Sequence, residues 1–298
     1  MELNKIYNED CLEGMKRIPD SSIDLIVTDP PYLYLNHKLD KSFDEDELFK
    51  EWLRVLKDKG FVVIFGRGES FYRWNTKLIS LGFEFKEEII WDKRKTTSSV
   101  LPIGRKHETI SILTKKGGVI NKVKIPYEQG VKYDLERLIK DIKRIGKSLY
   151  DDDYMSEVKE FLRTNEELYK GETKKKVNNI SHSKMKTGDR KLAMFKAIDE
   201  GLQEKSIISL PRDNYYNSIH PTQKPVKLFE RLISLVTKEN ERVLDCFMGS
   251  GTTAIACLNT NRNYIGFELD EEYYRASIER INNHAKDKQM DLFEMLDN

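Results

Sequence analysis

The chain has 298 residues, and its 51 basic and 50 acidic side chains leave a formal net charge of +1. That length suits one large α/β domain, or one domain carrying a substantial insertion. The balanced charge excludes any nucleic-acid argument from bulk charge, and the lack of an apolar run near ~20 residues excludes a membrane-spanning helix.

Texture divides the chain at 1–118, 119–208, 209–283 and 284–298. In the first segment, Ile23-Asp24-Leu25-Ile26-Val27-Thr28 predicts a buried strand, and so does Phe61-Val62-Val63-Ile64-Phe65. Between them, residues 47–56 carry apolar side chains at helical spacing, with Lys59-Gly60 as a stop. Strand, helix, strand implies a parallel pair. Further strands are predicted at 88–91 and 109–113. The second segment is rich in lysine and poor in apolar strands, with helices predicted at 135–145 and 154–162. The third returns to α/β character: a helix over 225–236 with proline at its start, a strand over 242–247, a helix from 252 to 258, a strand over 264–268 and a helix over 271–281. The last segment reads as a polar tail with a small apolar cluster around Met290 and Leu292. Cys11, Cys246 and Cys257 form no Cys-x-x-Cys pair and no metal spacing. Such low cysteine usage without a signal peptide predicts a cytoplasmic protein.

Two motifs carry chemistry. Asp29-Pro30-Pro31-Tyr32 follows the first strand, where open α/β sheets place their ligands. The prolines stiffen the backbone and aim the Asp29 carboxylate and the Pro30 carbonyl at one spot. Two acceptors suit an –NH₂ group, and Tyr32 offers a face for a base. The bland alternative is a proline-stiffened turn. The second motif, Asp245-Cys246-Phe247-Met248-Gly249-Ser250-Gly251-Thr252-Thr253, runs from strand through a glycine turn into a helix whose N-terminus presents free N–H groups. It lacks the Gly-Lys-Ser/Thr of a Walker loop and the third glycine of a dinucleotide fingerprint. Glu268 ends the next strand, where an acid can grip ribose hydroxyls. Together these features predict an adenosine-containing ligand; their bland alternative is a tight turn before an ordinary strand-end glutamate. A third, weaker motif is His220-Pro221-Thr222-Gln223-Lys224-Pro225, in which Lys224 or the following helix start can receive a carboxylate.

With these residues in this order, the sequence resembles the β-class amino-methyltransferases of DNA. Asp-Pro-Pro-Tyr comes first, a variable region follows, and Phe-x-Gly-x-Gly comes last. Asn8-Glu9-Asp10-Cys11, Trp91-Asp92-Lys93, His107-Glu108-Thr109 and the 220–225 block are further marks of that likeness. The resemblance implies a doubly wound, mostly parallel, seven-stranded Rossmann-like methyltransferase sheet, circularly permuted, with an inserted recognition region at 119–208. It makes 1–118 the catalytic half and 209–283 the half that binds S-adenosyl-L-methionine. It implies Asp10 and Cys11 near the cofactor adenine, Asp245, Phe247, Gly249, Gly251 and Thr252 around its methionine and ribose, Glu268 on the ribose, and Thr222 and Lys224 near the methionine carboxylate.

The implied reaction flips a base out of double-stranded DNA. Tyr32 would stack on it, Asp29 and Pro30 would accept from its exocyclic amine, and the methyl group would pass directly and in line. Both adenine N6 and cytosine N4 carry two hydrogens, so the acceptor pair serves either. Aspartate before Pro-Pro resembles the adenine enzymes, whereas serine is usual for cytosine. Lys93, Arg94 and Lys95 in the loop 93–99, with Arg137, Arg144 and Arg190 in the insertion, are the candidate DNA contacts. Partners implied by the family are a second copy of the chain and a cognate restriction endonuclease. A silent DNA-binding subunit is the alternative from another class, and the intact motifs speak against it.

Overall fold

The structure, a computed structural model, describes residues 1–32, 42–96, 102–149, 187–213 and 218–296, with backbone alone at 147–149, 187–193 and 289–296. In chain order the elements begin β1 (Lys5–Tyr7), α1 (Cys11–Met15), β2 (Ile23–Thr28), α2 (Glu45–Val55), β3 (Leu56–Gly66), α3 (Gly68–Ser80), β4 (Glu84–Asp92) and β5 (His107–Thr114). There follow β6 (Lys124–Ile125), α4 (Tyr127–Val131), α5 (Leu135–Leu149), α6 (Thr187–Glu200) and β7 (Leu202–Gln203). The chain closes with β8 (Ile207–Ser209), α7 (Val226–Val236), β9 (Arg242–Asp245), α8 (Thr252–Asn259), β10 (Asn263–Phe267) and α9 (Glu271–Leu296). These elements pack as two units, residues 1–123 with 205–298, and residues 124–204.

The first unit is built on one sheet in the order β1-β10-β9-β2-β3-β5-β4-β8. Only β5 runs antiparallel to its neighbours, β3 and β4. The sheet is therefore the mostly parallel α/β sheet anticipated, with eight strands rather than seven. The extra strand is β8, three residues that pair with the end of β4. Both faces are covered, which is why its central strands each carry a continuous apolar run. On one face Leu25, Val27, Val63 and Val243 pack with Leu228 and Leu232 of α7, and Phe65 stacks on Phe229 at 5.3 Å. On the other, Ile26, Val62, Ile64 and Leu244 meet Trp52 of α2 and Trp74 of α3. The alternation follows from successive strand side chains pointing to opposite faces.

Among the boundaries that differ from expectation, two have a clear physical cause. The first helix was predicted over 47–56 with a stop at Lys59-Gly60. α2 instead starts at Glu45, capped by the Asp44 carboxylate accepting from Asp46 and Glu47 N–H, and gives way to β3 at Leu56. Leu56 fits the helical period, yet it pairs with Ile23 in the sheet, and tertiary pairing decides. The polar tail predicted at 284–298 is helix as far as Leu296, since no glycine or proline follows Gly266 to stop α9.

The sheet's order sets the site. From β9 the chain crosses through α8 toward β10, and from β2 through α2 toward β3, so connections diverge at the β9–β2 seam. A crevice forms at the carboxyl ends of strands at such a point.

In the second unit, β6 and β7 pair antiparallel. Buried Asp141 of α5 accepts from Tyr127 Oη at 2.8 Å and from Arg144 at 2.7 Å. The helix predicted at 154–162 lies outside the described residues.

Glu45 ties α2 to α3, receiving Arg73 Nη2 and Trp74 Nε1 at 2.7 Å each and Lys77 Nζ at 3.0 Å. Burial pushes its carboxyl up, but these donors outweigh it and hold it down at about 2. Glu45→Gln is expected to lower unfolding stability by about 1–3 kcal/mol. A depressed acid stabilises above its ordinary value of 4.5 and loses that stabilisation as pH falls through about 2. Denaturant unfolding of both proteins should therefore show the gap at pH 7 closing between pH 5 and pH 2.

Candidate active site

β2 ends at Thr28, whose buried hydroxyl donates to Asp245 Oδ1 at 2.8 Å across the seam. Asp29, Pro30, Pro31 and Tyr32 follow and line a cavity of about 860 Å³. Each parallel strand sends the residues after its carboxyl end to that cavity: Glu9, Asp10 and Cys11 after β1, Glu268 after β10, Phe247 after β9, Arg67 after β3, Lys93 after β4 and Arg212 after β8. Antiparallel β5 contributes its amino end instead, at Glu108. The Tyr32 ring lies 5.9 Å from that of Trp74, and Phe43 lies 5.2 Å from Phe247.

On the glycine side, Gly249 and Gly251 have φ of 52° and 76°, a left-handed region that strains other residues. Gly251 caps α8. Asp245 accepts from Phe247 N–H at 3.0 Å and from the Thr253 hydroxyl. Burial pushes its carboxyl up to about 6 against these donors. Glu268 accepts from Gly249 N–H at 2.8 Å and Asp270 N–H at 2.9 Å, and burial raises it too. Asn8 Nδ2 donates to the Glu268 carbonyl at 2.8 Å, and Asp10 caps α1 through Leu12 N–H, also at 2.8 Å. Both upstream residues thus stand beside the glycine strands. Sequence reasoning missed Arg280 of α9, which donates to the Ser250 carbonyl at 2.9 Å and Thr252 Oγ1 at 3.0 Å. Nothing in its helical surroundings signals that role.

The 220–225 loop joins the two sides. Thr222 Oγ1 lies 3.1 Å from His220 Nδ1, and the His220 ring meets Tyr273 edge-on at 4.4 Å. The Lys224 carbonyl accepts from Thr252 Oγ1 at 3.1 Å. The Lys224 side chain turns toward the Asp-Pro-Pro-Tyr side of the cavity. It is buried against the Asp29 carboxylate, with Glu108 Oε2 at 3.3 Å. Tyr32 Oη donates to the other Asp29 oxygen. Burial, opposed by Lys224 and reinforced by Glu108, holds the Asp29 carboxyl above its ordinary value. Burial pulls Lys224 down, but Asp29 and Glu108 outweigh it and raise it.

The DNA candidates are divided. Lys93 is 2% exposed and forms a buried ion pair with Glu108 at 3.2 Å, on the cavity that Asp29–Tyr32 also line. Arg94, with φ of 66°, pairs with Asp92 at 3.5 Å, while Lys95 is exposed. Arg137 and Arg144 both pair with Asp141. Arg190 falls in the first turns of α6, at 187–193, where only backbone is described. Glu108 was recognised only as a family mark. An acid near the start of a strand that ends in the buried run Ile110–Thr114 was the available signal.

A family model described as DNA methylase, of the N6/N4 type, matches residues 23–279. The type II methyltransferase M1.MboII of Moraxella bovis is 28% identical over 292 residues, covering 92% of this chain and 94% of that one. A crystal structure of the M1.HpyAVI–SAM complex aligns at a TM-score of 0.59 and 24% identity, over 93% of this chain and 98% of that one. PvuII DNA methyltransferase, described as cytosine-N4-specific, aligns at 0.57 and 17% identity, over 92% and 84%. With a match across most of its length and both motifs facing one cavity, the chain belongs to the N6/N4 DNA methylase family.

Proposed function

We propose that the protein transfers a methyl group from S-adenosyl-L-methionine to the N6 amine of adenine in double-stranded DNA. The observation that carries this reading is the single cavity lined both by Asp29, Pro30 and Tyr32 and by Asp245, Gly249 and Glu268. The glycine side suits the cofactor chemically. Asp10, Asp245, Glu268 and Asp270 give it acceptors for an ammonium group and ribose hydroxyls. A side chain added at Gly249 would point at the His220 ring, 3.6 Å away. When bound, the cofactor supplies a methyl group activated on a sulfonium.

The chain's own residues do the rest. An arylamine is a poor nucleophile because its lone pair is delocalised into the ring. N–H bonds from the amine to the Asp29 carboxylate and the Pro30 carbonyl return that density to nitrogen. Tyr32, backed by Trp74, gives the extruded base a face to stack on. Fixing the amine at close range accounts for much of the rate. Asp29 then stands ready to take the proton the methylated amine releases. Adenine rather than cytosine rests on the aspartate before Pro-Pro. Residues 119–208 take the role of target recognition, their lysines suiting phosphates and binding that weakens with salt.

Incubation with S-adenosylmethionine and unmethylated DNA, followed by nucleoside mass spectrometry, should yield N6-methyladenine. N4-methylcytosine would overturn the base assignment. Asp29→Ala should cut turnover by about 100-fold or more with cofactor affinity unchanged by calorimetry. Wild-type turnover in that variant would sink the role of Asp29.

Asp245 makes the cofactor side pH-sensitive. Its proton returns below about pH 6 and removes a negative charge facing a cationic ligand. Calorimetric affinity for S-adenosylmethionine should therefore fall from pH 7 to pH 5. In Asp245→Asn the affinity should be weaker by about tenfold at pH 7, with the gap to the wild type closing toward pH 5.

A further inference from the structure

We propose that Glu108 is a positioning residue that draws the Lys224 ammonium off Asp29 as a target amine enters, clearing the carboxylate oxygen that the amine needs. This rests on the reading of Asp29 as the amine's acceptor. Both Asp29 oxygens are engaged: the Tyr32 hydroxyl is on Oδ1 and the Lys224 ammonium on Oδ2. An ammonium seated there withdraws electron density from the acceptor and fills space that an incoming nitrogen must cross.

Glu108 supplies the destination. Its Oε1 accepts from Lys93 Nζ at 3.2 Å. Its Oε2 is buried, lies 3.3 Å from Lys224 Nζ and accepts no hydrogen bond. The contact is thus within ion-pair range but wrongly angled. A buried acceptor left unfilled is costly, and a small rotation of the lysine tip fills it. The exchange moves no net charge, because Asp29, Glu108, Lys93 and Lys224 balance in either arrangement. Lys93 holds Glu108 fixed while Lys224 changes partner.

The groups facing this cluster are Tyr32 beyond β2, Lys93 beyond β4, Glu108 on β5, Lys224 on the loop before α7, Arg67 and Arg212 near Lys93, and Asp245 across the seam. Among them Glu108 raises the proton affinity of Asp29. Loss of its charge therefore shifts the acid limb of turnover to lower pH, while Lys224, left with Asp29 alone, slows the reaction.

The test measures kcat and KM on unmethylated duplex DNA across pH, with cofactor affinity as the check on folding. Glu108→Gln is expected to lower kcat at least tenfold, leave KM and cofactor affinity within twofold, and move the acid limb down. Glu108→Asp keeps the charge but retracts it from Lys224, so kcat should fall without that shift. Glu108→Gln combined with Lys224→Met removes the obstacle and, at a pH above the acid limb where Asp29 ionises without the ammonium, should turn over faster than Glu108→Gln alone. Wild-type kcat in Glu108→Gln, or a double variant no faster than Glu108→Gln, would overturn the proposal. If Asp29→Ala is inactive while Glu108→Gln is normal, only this inference fails. If Asp29→Ala is active, the reading of Asp29 fails with it.

Discussion

The structure depends on the parallel pairing of β2 with β9, sealed by the hydrogen bond from Thr28 to Asp245. The two residues are 217 positions apart in sequence. Their pairing sets Leu25 against Val243 and Ile26 against Leu244. Slipping that register by one residue would send the Asp245 side chain to the opposite face and break the hydrogen bond. The seam therefore fixes the height of Asp29 relative to the glycine turn. In a reaction whose rate comes largely from positioning, this is the dimension that matters. Arg280 and the 220–225 loop reinforce it from outside the sheet, by anchoring Ser250 and Thr252.

The legible parts of the fold were the central strands. A strand covered on both faces is a continuous apolar run, and β2, β3, β9 and β10 each contain one. Short edge strands have no such signature: β1 and β8 are three residues each and exist through their partners. Periodicity failed at Leu56, which satisfies helix and strand alike, and in the tail expected over 284–298, where nothing forbids a helix as far as Leu296.

The site was legible to the extent that its residues sit in local motifs. Asp29, Asp245 and Glu268 could be found because each ends or follows an apolar strand. Lys93 and Glu108 could not be paired from sequence, since they meet only because Trp91 lies opposite Glu108 in the β4–β5 ladder. Read linearly, Lys93 opens a basic loop with Arg94 and Lys95. In the fold it is turned inward and they are not. The same holds for Lys224: its motif marked a helix start, but its ammonium reaches Asp29 just beyond β2, 195 residues away in sequence.

Four charged groups in so small a buried volume are hard to explain by stability. Desolvating ion pairs costs more than apolar packing of similar volume, and the sheet has ample apolar packing elsewhere. Chemistry offers a reason for keeping them. Burial alone pushes Asp29 toward its neutral acid. A protonated carboxyl is a weaker acceptor for an amine N–H and has no capacity to take a further proton. The Lys224 ammonium opposes that drift and favours the carboxylate. Yet the charge that preserves Asp29 also occupies it. Such a counterion is useful only if a second anion can share it, and Glu108 is that anion. On this account the pairing of β4 with β5, which delivers Glu108 to the mouth of the cavity, belongs to the catalytic apparatus as much as the Asp-Pro-Pro-Tyr turn itself.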